Sequence, residues 1–490
     1  MKKRFFVAAL FSVCAACSAP IEAPDTGPET GLEIAKVTPI SGQEQIETAL
    51  QPSLVVKGDD YSDYTLDQRR AFYGVPSASV AIATGGEIEW AAGYGDRTDS
   101  DTLFQAASLS KAVAAAGIAT LAAQKGISLD DDLTPLMSSL DLAAMNTSGQ
   151  PVTLRRLLSH TNGATVSGFP GYPTSGPVPT NLELIKGSEI TNTDPITLQP
   201  FEEGVRTYSG GGYQIAQAWA EEASGEAFAD LMDRLVLQPI GMTQSTFAQP
   251  LPPELASQNV ADAYFGDAER VEGGWHIYPE QAAAGLWTTP SDYARFMLAL
   301  MGAAAGDSTL GLDPVVAKEM TTPVAEEYGL GMGLQRPHGD ERRWMHSGSN
   351  KGYRCTAMAF PERGDVIVVM TNHPRGFPLL GEINRAGNRT YDWPRAPIKE
   401  IERFIMSATE LSGFTGAYVR EGETEILFDV TVNGLDLLAQ VRAYDFVFEL
   451  IPLTKQEFID PGDLQTARFE QVDGMWVMES GGAKFLQVEE

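Results

Sequence analysis

Two hairpin signals stand at opposite ends of a long helix-rich stretch, and they limit the topologies open to this chain more than any other feature. Residues 75–95 read VPSASVAIATGGEIEWAAGYG, two β-rich runs joined by Gly85-Gly86, a dipeptide suited to a two-residue hairpin turn. Far downstream, Tyr353 to Phe360 and Asp365 to Thr371 form a second pair of β-rich runs across a Pro-Glu-Arg-Gly turn. Between them lie helix-like segments: Ser108 to Lys125, Ala-rich and interrupted only by Gly117, then Ile215 to Glu222, and Ser291 to Leu300 with Ser291 as its expected N-cap. Strands at both ends with helices between predict one sheet closed by distant parts of the chain, an α/β (α+β) arrangement without regular βαβ alternation.

The character changes after Trp393-Pro394. Ile398 to Met406 reads as a helical connector, and short strands follow at turn-like intervals: around Tyr418, Glu425 to Val432, Leu435 to Val441, Phe446 to Leu450 and Met475 to Met478. The expected organisation is a signal segment at 1–16, a tether and N-terminal extension at 17–63, a main domain at 64–393, a connector at 394–407 and a small all-β domain at 408–490. No fixed-period repeat is visible.

The chain's 490 residues leave room for two or three domains, and 43 % hydrophobic residues with 9 % aromatics exclude a wholly disordered or fibrous chain. A formal charge of −30 would repel phosphate backbones, so nucleic acid is excluded as an expected partner. The acids are scattered, which reads as solubility. Three cysteines cannot make a disulfide framework. Cys355, in a β-rich run, reads as a small buried hydrophobe.

Lys2, Lys3 and Arg4 precede the apolar run Phe5 to Ala16, too short to span a bilayer, which predicts an export signal and a periplasmic or envelope-facing location. Val13 to Cys17 (VCAAC) resembles a bacterial lipobox, which implies lipidation at Cys17; Cys14 departs from the usual leucine, and plain cleavage is the alternative. Ser18 to Gly31 has the Pro, Gly, Thr and acid content of a flexible tether. A membrane partner is expected only through that anchor.

The chemistry emerges partly by exclusion. No G-x-S-x-G, H-E-x-x-H or G-x-x-x-x-G-K-S/T occurs, and the one C-x-x-C, Cys14 to Cys17, falls in the lipobox-like stretch, so a nucleophile-elbow hydrolase, a zinc site and a phosphate loop lack support, and no metal or cofactor is expected. Ser108-Leu109-Ser110-Lys111 does occur, where a helical run begins. Ser108 and Lys111, three residues apart, share one helical face, which brings a base to its nucleophile. A serine there also offers its own N–H among the unpaired donors of the first turn. Tyr208-Ser209-Gly210 and His346-Ser347-Gly348-Ser349 follow in order, and glycine in such phrases permits close backbone approach. Of the five histidines, only His346 has neighbours that suggest a role beyond packing or surface.

With these motifs and the phrases DTLFQAASLSK, LLSHTNG (157–163), PIGM (239–242) and AAGLWTTPSDYARF, residues 64–393 resemble the penicillin-recognising serine hydrolases: class C β-lactamases, DD-peptidases, D-aminopeptidases and β-lactamase-like esterases. The resemblance implies an antiparallel sheet flanked by helices, with a helical subdomain. It implies Ser108 as nucleophile, Lys111 as its proton acceptor and Tyr208 as proton donor to the leaving group. His346 and Gly348 would line the cleft, with the N–H groups of Ser108 and Ser349 as oxyanion hole. Gly210 replaces the family's usual asparagine, whose amide holds an acylamino group. His346 replaces the lysine of class C enzymes, and Lys351 reads as a surface lysine rather than its substitute.

The plain structural readings are Ser108 as a helix cap, Tyr208 as a packing aromatic and His346 as a polar strand residue. The expected function is a serine hydrolase acting through a Ser108 acyl-enzyme on small amide, ester or peptide substrates. A promiscuous carboxylesterase on the same scaffold and a non-catalytic penicillin- or peptide-binding module are the alternatives; a complete Ser, Lys and Tyr set argues against the latter. Sequence leaves oligomeric state and the role of the β domain open.

Overall fold

The computed structural model describes residues 41–58, 63–95, 97–266, 268–336, 341–394, 397–442, 446–462 and 464–488. The signal, the lipobox with Cys17 and the Ser18 to Gly31 tether lie outside the described residues.

The two sequence hairpins become four strands of one sheet: β1 (Ser77–Thr84) with β2 (Glu87–Gly95), and, after β3 (Gly333–Gln335) and β4 (Arg343–Asn350), β5 (Tyr353–Phe360) with β6 (Asp365–Thr371). All six pair antiparallel in the order β3-β4-β5-β6-β1-β2, so β6 lies against β1 across almost three hundred residues of chain. Period-2 alternation gives each strand two faces. Ala81, Ala83, Ala357, Ala359, Val366 and Val368 bury one face under α1 (Ser110–Lys125) and α4 (Pro290–Ala304), which follow α2 (Gly210–Ser224) and α3 (Gln281–Ala284) in the helical layer. Val80, Ile82, Met358, Phe360, Ile367 and Val369 bury the opposite face under α5 (Gly376–Thr390). The core is therefore two layers of helix on one antiparallel sheet.

On that opposite face, Arg69 makes a two-pronged contact to Glu382 (2.7 and 2.6 Å), with the Tyr73 hydroxyl donating to the same carboxylate at 2.7 Å. Burial and the Glu382 charge both push the Tyr73 hydroxyl far up.

After the sheet, Gly416–Arg420, Ile426–Asn433, Asp436–Val441, Phe446–Pro452, Glu457–Ile459, Thr466–Val472, Met475–Ser480 and Ala483–Val488 close into an eight-stranded barrel. Its interior is filled by Tyr418, Phe428, Leu437, Leu450, Phe458, Phe469, Met478 and Phe485. A small apolar cluster of Leu54, Ile401, Ile451 and Ile459 joins the N-terminal segment to it.

Three local expectations need correction. Ile398 to Met406 is not helical: Lys399–Ile401 is a strand paired in parallel with Leu54–Val56, because a partner from the far end of the chain outweighs local propensity. The Ser291 cap is Thr289, whose hydroxyl accepts from Asp292 N–H, with Pro290 in the first turn, where its missing donor costs nothing. The helix expected from Ile215 starts at Gly210. Glycine is a poor helix former, yet Ser209 caps it by accepting from Gly212 N–H, and tertiary burial does the rest.

Candidate active site

The first motif sits where the chain leaves a two-residue strand, Phe104–Gln105, and turns into α1. Ala107 has φ of 48°, a left-handed conformation disfavoured for a residue with a Cβ. The α-helix consequently begins at Ser110, and Ser108 lies in the one-turn 3-10 segment Ala107–Leu109 rather than in the helix proper. Neighbours over-determine this turn. Ala106 N–H donates to Leu286 O at 2.8 Å, the Cys355 thiol donates to Ala106 O at 2.9 Å, and Ser110 Oγ both donates to Ala107 O and accepts from Leu286 N–H.

Lys111 lies one turn on, with only 2 % of its surface exposed. Its Nζ donates to Ser108 Oγ at 3.1 Å and to Ala283 O in α3 at 2.8 Å. The Tyr208 and Tyr213 rings flank it, their centroids 5.0 and 5.6 Å from Nζ. Two fixed acceptors and two aromatic faces leave the amine a single orientation, toward the serine.

Tyr208 immediately precedes the cap of α2. His160, itself at φ of 63°, grips this segment from both sides: its carbonyl accepts from Thr207 N–H at 2.9 Å and its Nδ1 accepts from Ser209 N–H at 3.1 Å. The His160 and Tyr208 ring centroids are 4.4 Å apart. His160 Nε2 lies 3.2 Å from the Tyr328 hydroxyl. With Nδ1 accepting, Nε2 carries the proton and donates to Tyr328. Burial, then the charges of Lys111 and Arg206, hold His160 well below the ordinary imidazole range. The Arg206 guanidinium stacks 4.8 Å over the Tyr328 ring and pairs loosely with Glu326 at 3.6 Å.

The third motif runs along β4. β3 pairs with β4 only from Arg343 to Met345, so His346 to Asn350 continue past the end of their outer neighbour, beside the Ser108 turn. A Cβ on Gly348 would meet the Cys355 sulfur and lie 2.5 Å from Ala106 O and 3.0 Å from the Ala107 side chain, so strand and turn approach this closely only with glycine there. His346 faces Tyr208 at 6.1 Å between centroids, and burial followed by the Lys111 charge pushes it down to about 3. Ser349 is exposed at the strand end opposite Arg354, and Asn350 Nδ2 turns inward to Gln105 and Ala284.

The fold thus brings Ser108, Lys111, Tyr208, His346 and Gly348 together from three separate parts of the chain. Lys351 is turned away, its Nζ over the Phe265 ring. Gly210 also stands apart from the cluster's chemistry: a Cβ there would lie 2.6 Å from Phe169, whose ring fills the space an asparagine side chain would need.

The expectation that only His346 among the histidines matters is incomplete, because His160 contacts Tyr208 more closely. Its signal was present in the phrase Leu157 to Gly163, but no local pattern says which distant peptide it will hold. Cys355 is buried as expected and also donates to the Ala106 carbonyl in the Ser108 turn. Glu280, just ahead of α3, was not anticipated at all. It is fully buried, neither carboxyl oxygen has a hydrogen-bond partner among the described residues, and burial pushes it up to about 8. Among the described residues, no three His, Cys, Asp or Glu side chains gather in a way that would hold a metal ion.

The family model described as Beta-lactamase matches residues 63–389. A penicillin-binding protein of Bacillus subtilis (strain 168) is 25 % identical over 435 residues, spanning 80 % of this chain and 89 % of that protein. Esterase EstB of Burkholderia gladioli is 28 % identical over 225 residues, 42 % of this chain and 54 % of that protein. Among solved structures, the octameric penicillin-binding protein homologue from Pyrococcus abyssi superposes with a TM-score of 0.54 at 21 % identity, covering 86 % of this chain and 98 % of that one.

Proposed function

Because this chain belongs to the Beta-lactamase family of penicillin-recognising serine hydrolases, we propose that it cleaves amide or ester bonds through an acyl-enzyme on Ser108. One observation carries this reading: the buried Lys111 Nζ, anchored by Ala283 O, lies 3.1 Å from Ser108 Oγ. The Ser108 proton passes to Nζ as Oγ bonds to the substrate carbonyl carbon. The resulting oxyanion takes hydrogen bonds from the N–H groups of Ser108 and Ser349. Collapse breaks the bond to the leaving group, which takes its proton from the Tyr208 hydroxyl, and Lys111 returns a proton to Tyr208. Water then attacks the acyl carbon along the reverse proton path and frees Ser108. Neutral His160 and His346 beside Lys111 add no competing positive charge.

A carboxylesterase of broad scope is the second reading, favoured by Phe169. With its ring where an asparagine amide would stand, the acyl side of the cleft lacks a clamp for an acylamino group and presents an apolar wall. Similarity to an esterase over part of the chain supports it.

The proposal extends to location. The basic and apolar N-terminus and VCAAC support export with lipidation at Cys17, as does similarity to penicillin-binding proteins. Among the described residues no helix is long and apolar enough to cross a membrane. If Cys17 is the anchor, Cys17→Ser moves the protein from the membrane fraction to the soluble envelope; unchanged fractionation rejects it.

The catalytic reading is tested by intact-mass spectrometry after exposure to a fluorophosphonate or a labelled penicillin. One adduct is expected, abolished by Ser108→Ala; an adduct on another residue overturns the assignment. Rates on a chromogenic cephalosporin, a short-chain nitrophenyl ester and a D-Ala-D-Ala peptide then separate ester from amide preference.

A further inference from the structure

Tyr208 stands in an irregular segment ahead of α2, and a general acid in such a segment needs its backbone held by something outside it. The groups that hold it converge on one residue. His160 accepts from the peptide N–H on each side of Tyr208, through its carbonyl at Thr207 and its Nδ1 at Ser209, while its ring lies against the tyrosine ring at 4.4 Å. His160 in turn is fixed by its Nε2 contact to the buried Tyr328 hydroxyl and by the Tyr213 ring 5.5 Å away. It adopts φ of 63°, a conformation that costs energy in any residue with a side chain and persists only where the surroundings impose it.

We propose that His160 is the positioning residue for Tyr208, acting through the unprotonated Nδ1 that accepts from Ser209 N–H. The inference rests on the reading of Tyr208 as proton donor to the leaving group. A proton on Nδ1 would set two donors against each other and release the segment. The charged and titratable groups that face the ring are Lys111, Arg206, His346, Tyr208, Tyr213 and Tyr328. Burial, then the charges of Lys111 and Arg206, disfavour an imidazolium there and outweigh the backbone contact at Ser209 that favours one.

The experiment compares His160→Asn, His160→Gln, His160→Phe, Tyr208→Phe and the double variant H160F/Y208F on a nitrophenyl ester and an alkyl ester, with thermal stability measured for each. Asparagine can place its Oδ1 where Nδ1 stands; glutamine reaches past that point, and phenylalanine keeps the ring without an acceptor. The expected result is a loss of kcat on the alkyl ester of about 10²-fold in H160F, the lower end for a lost general acid, with KM nearly unchanged and a smaller loss on the nitrophenyl ester. H160N should recover most of the alkyl-ester rate, H160Q should not, and H160F/Y208F should be no slower than Y208F alone. If Y208F leaves the ester selectivity unchanged, the reading of Tyr208 itself fails. If Y208F is selective for poor leaving groups while H160F slows both esters equally, or adds to Y208F, His160 is a packing residue and the inference is overturned. Should H160F not fold, H160N against H160Q decides, equal alkyl-ester rates overturning it.

Discussion

Replacing Glu280 with glutamine should make the folding stability less sensitive to pH, because the native state holds this carboxyl as the neutral acid. Its oxygens lie fully buried without partners among the described residues, and burial raises its proton affinity from the ordinary 4.5 to about 8. The native protein therefore binds this proton more tightly than the unfolded chain does. The contribution is fully present below pH 4.5 and is lost as pH rises through about 8. Each pH unit in that window is worth about 1.4 kcal/mol, giving about 5 kcal/mol across it as an upper figure that water entry would reduce. Urea unfolding of both proteins from pH 5 to pH 9 isolates the effect, since every other titrating group is shared. E280Q should gain on the parent by a few kcal/mol as pH rises, and an infrared band from a protonated carboxyl should disappear in the variant. Parallel stability curves would mean that Glu280 is ionised or solvated in the native state, and the argument from burial would be wrong.

Gly348→Ala should cost about 1–3 kcal/mol by overpacking and lower kcat more than KM, because the added methyl drives β4 off the Ser108 turn; Cys355→Ala in the same background should recover only part, the Ala106 carbonyl remaining in the way. Gly210→Asn should destabilise the protein through its clash with Phe169, and Phe169→Ala should relieve it; stability rescue with hydrolysis of acylamino substrates gained only in the double variant would support the cleft assignment, and a harmless single variant would refute it. Glu382→Gln leaves Arg69 without its counter-charge on the far face of the sheet, so a loss of about 3–5 kcal/mol with kcat within twofold is expected, and a large kcat effect would contradict the separation of the two faces.

What the sequence determined by itself is local. Gly85-Gly86 and the Pro-Glu-Arg-Gly turn specify two hairpins because turn chemistry and period-2 alternation act over a few residues, and the structure holds both hairpins at their expected positions. Lys111 lies three positions after Ser108, so a helical turn brings their side chains together. The order of the three motifs carried the family resemblance. Everything that depended on a partner far along the chain was decided only on folding. Lys399–Ile401 is a strand because Leu54–Val56 lies beside it, against a local pattern that reads as helix. The three barrel strands missed in the sequence, Glu457–Ile459, Thr466–Val472 and Ala483–Val488, are set by neighbours that close the ring. Ala283 O reaches Lys111 across 172 residues, and His160 meets Ser209 across 49. Glu280 looks like an ordinary surface acid in sequence, and only the packing around α3 removes it from water. Propensity and spacing are properties of neighbours in sequence, whereas burial, charge environment and the acceptors that aim a side chain belong to neighbours in space.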